Sequence, residues 1–127
     1  MSTLLVAGTV GGCGSVTART DEAAALAERF EQAAHGGRPA VACALLAPET
    51  RSELEESGRM ACGSALAQEQ LPRGGRVRGV EVYGRQALVA LTGDTLFLSR
   101  FDSGWRVVAA GCTPEPDGPY QCTVKGG

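Results

Sequence analysis

The spacing of apolar residues changes once along this 127-residue chain, at Leu71-Pro72, and that switch constrains the fold more than any other feature. Before it, apolar side chains recur every three or four positions; beyond it, they alternate with polar ones. A period near 3.6 gives a helix one buried stripe, and a period of 2 gives a strand one buried face. Helices gathered first and strands afterwards predict an α+β fold, amino-terminal helices packed on one face of an antiparallel sheet. The length suits a single domain, which can bury about two thirds of the surface its unfolded chain exposes. No metal or cofactor is needed to explain folding, and none is expected.

In the helical half, Thr20 is placed to cap a first helix whose opening turn carries Asp21 and Glu22, suited to the positive end of the helix dipole. Ala23, Leu26, Phe30, Ala33 and Ala34 form its apolar stripe, leaving Glu22, Glu28, Arg29 and Gln32 outward. Gly36-Gly37 ends it behind His35, a residue favoured in a last turn. Pro39 suits the first position of a second helix running to Ala47. Pro48 stops that helix and opens a polar third segment, Glu49 to Ser57; a short fourth covers Ala61 to Gln68.

Past the switch, Val77 to Tyr83, Gln86 to Leu91, Thr95 to Phe101 and Trp105 to Ala110 read as four strands. The connections Gly84-Arg85, Thr92-Gly93-Asp94 and Asp102-Ser103-Gly104 are too short for parallel crossovers, so the strands form a meander of hairpins. Alternation in the last strand sets Trp105, Val107 and Ala109 on one face and Arg106, Val108 and Ala110 on the other. The Pro-rich stretch Thr113 to Tyr120 reads as a loop and Gly126-Gly127 as a tail.

Ahead of Cys13 the chain is uncharged and ends in small residues. Val10-Gly11-Gly12-Cys13 resembles a lipoprotein lipobox, which makes residues 1–12 a signal-peptide remnant, Cys13 the acylated first residue of the mature chain, 13–19 a tether and 20–125 the single domain. The stretch is too short and glycine-rich to span a bilayer, which takes about 20 apolar residues. Cysteine parity points the same way. The chain has five cysteines, and acylation of Cys13 leaves Cys43, Cys62, Cys112 and Cys122, an even set. Three connectivities are open to them; pairing within neighbouring segments favours Cys43 with Cys62 and Cys112 with Cys122. Disulfides belong to oxidising compartments, so the expected location is extracytoplasmic, on the outer face of the cytoplasmic membrane. A four-cysteine zinc site would favour paired Cys-x-x-Cys knuckles, which are absent, and Cys43 has no neighbouring His or Lys to make it a nucleophile.

Charge excludes one partner class. Arg73, Arg76 and Arg78 are the only cationic cluster, too few for a phosphate backbone, so no nucleic acid is expected. From Ser15 to Gln70 five Arg face nine acidic residues, and from Leu71 onward seven basic residues face five acidic ones, which suits two solvated surfaces. Aromatic residues make up 5% of the chain, so its core must be built mainly from Ala, Val and Leu.

The order of elements, the Leu45-Leu46-Ala47-Pro48-Glu49 segment and the closing strand Gly104-Trp105-Arg106-Val107-Val108 resemble the nuclear transport factor 2-like, or cystatin-like, superfamily, and in particular its small exported actinobacterial lipoproteins. The resemblance covers about Asp21 to Cys112. It implies that the four-stranded meander curls around the long helix into a cone, whose mouth holds a ligand in some members and a catalytic acid or base in others.

A general base needs a desolvated, firmly held side chain. His35 falls at a helix end, Asp94 and Asp102 fall in turns, and neither a nucleophile elbow, a phosphate loop nor a metal-spaced set is present, so no catalytic residue and no metal ligand is assigned. Arg78, Arg100 and Arg106 on strand faces, with Tyr83 on the first strand, are the candidate ligand contacts; converging arginines would bind an anion by bidentate hydrogen bonds. The expected function is a non-catalytic, surface-anchored module that binds a small apolar or anionic ligand or a protein partner. The alternative is a small cone-fold enzyme of the isomerase or dehydratase type acting on an apolar ligand.

Overall fold

The computed structural model describes Thr3 and residues 13–126. The signal remnant assigned to residues 1–12 lies outside the described residues, Thr3 apart. Among the described residues, four helices, α1 (Cys13–His35), α2 (Pro39–Ala44), α3 (Pro48–Gly58) and α4 (Cys62–Gln68), precede five strands, β1 (Val77–Tyr83), β2 (Gln86–Leu91), β3 (Thr95–Phe101), β4 (Gly104–Glu115) and β5 (Gly118–Lys125). The strands form one antiparallel sheet in sequence order.

α1 is longer than its sequence suggests. Its described part reaches back to Cys13, so residues 13–19 are helical where a tether was expected, and Thr20 is an interior residue. Its hydroxyl donates to the Val16 carbonyl at 3.0 Å, the back-bond a threonine makes inside a helix in place of a cap. The helix stops where expected: Gly37 adopts φ +74° and the Arg38 N–H turns back to the Ala33 carbonyl. α1 buries Ala23, Leu26, Ala27, Phe30 and Ala33 against the sheet, where Val89, Leu96, Leu98 and Val107 receive them. Burial of the Phe30 side chain contributes about 1.5–3 kcal/mol.

α2 is shorter than its pattern. It ends at Ala44 rather than Ala47 because Leu45 to Ala47 leave the helix and pair with β4: the Val107 N–H donates to the Leu45 carbonyl at 2.9 Å and the Ala47 N–H to the Val107 carbonyl at 2.8 Å. Those bonds satisfy polar groups on the part of β4 that β5 does not reach. Pro48 then opens α3 at its first position.

The first three strands run as expected, but the sheet has five strands, not four. The Pro-rich stretch is a β-hairpin: β4 continues to Glu115 and β5 returns from Gly118, with Ala110 opposite Val124 and Cys112 opposite Cys122. Prolines cannot donate to a ladder and belong at edges and irregularities. Pro114 sits at the register shift between Thr113 and Glu115, and Pro119 lies near the start of an edge strand.

The faces of β4 also differ from strict alternation. Phe97 pairs with Ala109 while Leu98 pairs with Val107, so Val108 is an extra residue and the pleat reverses beyond it. Ala110, expected opposite Trp105 and Val107, joins them in the core, and Ala109 moves to the outer face with Phe97. Two disulfides join neighbouring segments, Cys43–Cys62 between α2 and α4 with α-carbons 6.1 Å apart, and Cys112–Cys122 across the β4–β5 hairpin.

Candidate functional site

The sheet face turned away from α1 carries an apolar patch among polar residues. The register places Leu88 beside Phe97 and Phe97 beside Ala109 on that face, with Phe101 further along β3. Because the chain bonds along β4 before α3 begins, the first turn of α3 stands at the margin of this surface. Between them lies a cleft of about 610 Å³. Ala47 and Pro48 form one wall, Phe101, Val108 and Ala109 another, and Ser99, Thr50, Lys125 and Glu49 supply hydroxyl, ammonium and carboxylate groups. The Thr50 hydroxyl donates to the Val108 carbonyl at 2.9 Å, pinning α3 to the extra residue of β4. The size and the mostly apolar lining with a few polar groups suit a small molecule with an apolar body.

A second cluster lies on the other side of the sheet, at the end of α1. Glu31 is 8% exposed, and its Oε2 accepts the Gly74 N–H at 2.9 Å and lies 3.3 Å from His35 Nε2. Glu31 Oε1 and His35 Nε2 are buried without a hydrogen-bond partner. Burial pushes the Glu31 carboxyl above its ordinary value; the Gly74 N–H and the nearby His35 offset part of that, and Asp94 adds to it. Asp94 is likewise raised by burial, against three backbone N–H donors, those of Thr95, Gly111 and Cys112, that favour its charged form. These carboxylates hold loops: Glu31 anchors the 73–75 segment, and Asp94 grips the bend in β4. Glu31 and His35 border a shallow depression with Arg73, remote from the outer-face cleft.

The four residues expected to contact a ligand do not gather. Tyr83 and Arg78 lie toward opposite ends of β1. The Tyr83 hydroxyl donates to Glu81 at 2.9 Å, and this bond raises its pKa. Arg78 is exposed at a register irregularity. Arg100 and Arg106 border separate depressions, and Arg106 Nη1 donates to the Trp105 carbonyl at 3.3 Å. Cys43, Cys62, Cys112 and Cys122 are disulfide-bonded. Cys13 opens α1, but its side chain lies outside the described residues. Among the described residues, no three His, Cys, Asp or Glu side chains are grouped to hold a metal ion, and no helix is long and apolar enough to cross a membrane.

Sequence reasoning missed Glu31 and the cleft. Glu31 had a signal, since Ala23, Ala27, Glu31 and His35 repeat every fourth residue on the buried stripe. The cleft had none, because its walls come from α3, β3, β4 and the end of β5, segments distant in sequence that meet through the pairing of Leu45 and Ala47 with Val107 and through the Thr50–Val108 bond.

Comparison with known proteins gives no match: no family model fits the chain, and no curated protein or solved structure is similar to it. Its class is therefore defined by its own architecture, a disulfide-bonded α+β domain with helices on one sheet face and an open, largely apolar cleft on the other.

Proposed function

We propose that this chain is an exported, membrane-anchored binding module of the nuclear transport factor 2-like kind, which holds a small, largely apolar molecule in the cleft between α3 and the outer sheet face. The carrying observation is the cleft itself, about 610 Å³ with Phe101, Val108, Ala109 and Pro48 as walls. Two disulfides support an oxidising, extracytoplasmic setting. The lipobox-like Val10-Gly11-Gly12-Cys13 supports anchoring through Cys13. Helices followed by an antiparallel meander support the family reading, with the curled cone as its finer form.

A titration of the full chain with 1-anilinonaphthalene-8-sulfonate, an apolar anion that fluoresces when desolvated, tests the cleft. One saturable site is expected. Phe101→Ala removes an aromatic wall and weakens it about tenfold, the equivalent of about 1.4 kcal/mol. Val41→Ala, an exposed position on α2, leaves it unchanged. Absence of saturation, or an equal loss in both variants, rules the cleft out.

A second reading, a small acid–base enzyme, draws on the Glu31–His35 pair, whose carboxyl is raised by burial. It places the chemistry away from the cleft, so Glu31→Gln leaves dye binding intact on either reading, and only a turnover that this substitution abolishes would establish the enzyme.

A further inference from the structure

We propose that the end of the domain formed by the start of α1, the β1–β2 turn and the β3–β4 turn is a rim that seats on anionic lipid headgroups. The proposal deepens the reading of Cys13 as the anchored residue by naming the surface that the anchor would bring to the bilayer.

Three arginines border this rim. Arg19 from α1, Arg85 from the β1–β2 turn and Arg100 from the end of β3 border one depression, together with the single carboxylate of Asp102. The two turns are tied to each other, since the Arg100 N–H donates to the Arg85 carbonyl at 2.8 Å. Around the cations stand large apolar side chains open to solvent: Val16 is 56% exposed, Tyr83 65% and Phe101 38%. Val16 lies three residues before Arg19, on the same face of α1. Two further carboxylates stand near this end: Glu81 accepts the Tyr83 hydroxyl, and Glu22, three residues after Arg19 on α1, borders the β3–β4 turn beside Arg29 and Arg106.

The position of this rim is what gives it a partner. Cys13 opens α1, and six residues of helix set it about 9 Å from Arg19 along the axis. An acyl chain on Cys13 would hold this end, and no other, against the membrane. Arginines near an anionic surface each add to binding, and aromatic side chains favour the interfacial zone. Phe101 belongs to both the rim and the cleft, so a cleft ligand would sit beside the headgroups.

The full chain, produced without acylation, is sedimented with vesicles of mixed phosphatidylglycerol and phosphatidylcholine and with vesicles of phosphatidylcholine alone. Preferential, salt-sensitive binding to the anionic vesicles is expected. Arg85→Gln with Arg100→Gln should weaken it about 30-fold, at about fivefold per arginine. Arg38→Gln with Arg76→Gln, an equal charge change at the far end of the domain, should leave it unchanged. Both double variants keep residues 1–12, so their difference reads the rim and not the apolar amino terminus. No preference for anionic vesicles, or the same loss in both variants, overturns the proposal. The anchor is judged separately, by the mass of the product expressed with its native upstream sequence: an unmodified Cys13 would end the anchoring reading and leave the vesicle result standing.

Discussion

Asp94 Oδ2 accepts a 3.0 Å hydrogen bond from the backbone N–H of Gly111, 17 residues further along the chain. Its Oδ1 takes the N–H groups of Thr95 at 2.8 Å and Cys112 at 3.1 Å, so one carboxylate joins the β2–β3 turn to the bend in β4. Gly111 makes the bend with φ +65°, and a Cβ there would meet Leu71 Cδ2 at 2.9 Å and Thr123 Cβ at 3.0 Å.

Asp94→Asn keeps the shape but turns an amide NH₂ toward a backbone N–H. Urea unfolding should show a loss of about 1–3 kcal/mol. Gly111→Ala forces a side chain into the left-handed region, for about 1–2 kcal/mol before the displacement of Leu71 and Thr123 is added. Wild-type stability in either variant would show that this joint does not hold the hairpin.

Stability should fall as pH rises from the ordinary carboxyl range toward neutrality. The folded-state pKa values of Glu31 and Asp94 are both raised, chiefly by burial. A raised carboxyl contributes stability that is fully present below its unfolded pKa and is lost as pH rises through its folded value. Glu31→Gln keeps an acceptor for the Gly74 N–H and removes the titration, so its thermal midpoint should vary less with pH. A Glu31→Gln profile parallel to the wild type would assign the slope to other groups.

The two disulfides should differ in weight. Loop-closure entropy alone assigns each about 3 kcal/mol, for sequence separations of 19 and 10. Cys43 and Cys62 are both buried in the core, whereas Cys112–Cys122 joins a hairpin that extends into solvent. Replacing Cys43 and Cys62 by Ser should therefore lower the denaturation midpoint more than replacing Cys112 and Cys122. The reverse order would place the weight on the hairpin.

Local chemistry made several parts of this fold legible. The break at Leu71-Pro72, the short Gly-bearing turns and the alternation of Val77 to Phe101 depend on neighbouring residues alone, and the first three strands follow them. The Cys43–Cys62 and Cys112–Cys122 pairings follow the same logic, since nearby segments have little chain to close.

What escaped the sequence depends on contacts between distant residues. Pro114, Pro116 and Pro119 look like a loop until Val124 is seen opposite Ala110, because a strand with missing donors needs its partner to be recognised as one. The extra residue at Val108 reverses the faces of Ala109 and Ala110, and only the pairing of β3 with β4 reveals it. The stripe of Ala23 and Ala27 turns Glu31 inward, but its partner Gly74 lies 43 residues away and only the fold brings it there. Periodicity determines which segments are helices and which are strands, because side-chain direction is local. Which face is buried, where a carboxylate loses its water and where the cleft opens belong to the tertiary structure, because burial is set by what packs against a residue and not by its neighbours in sequence.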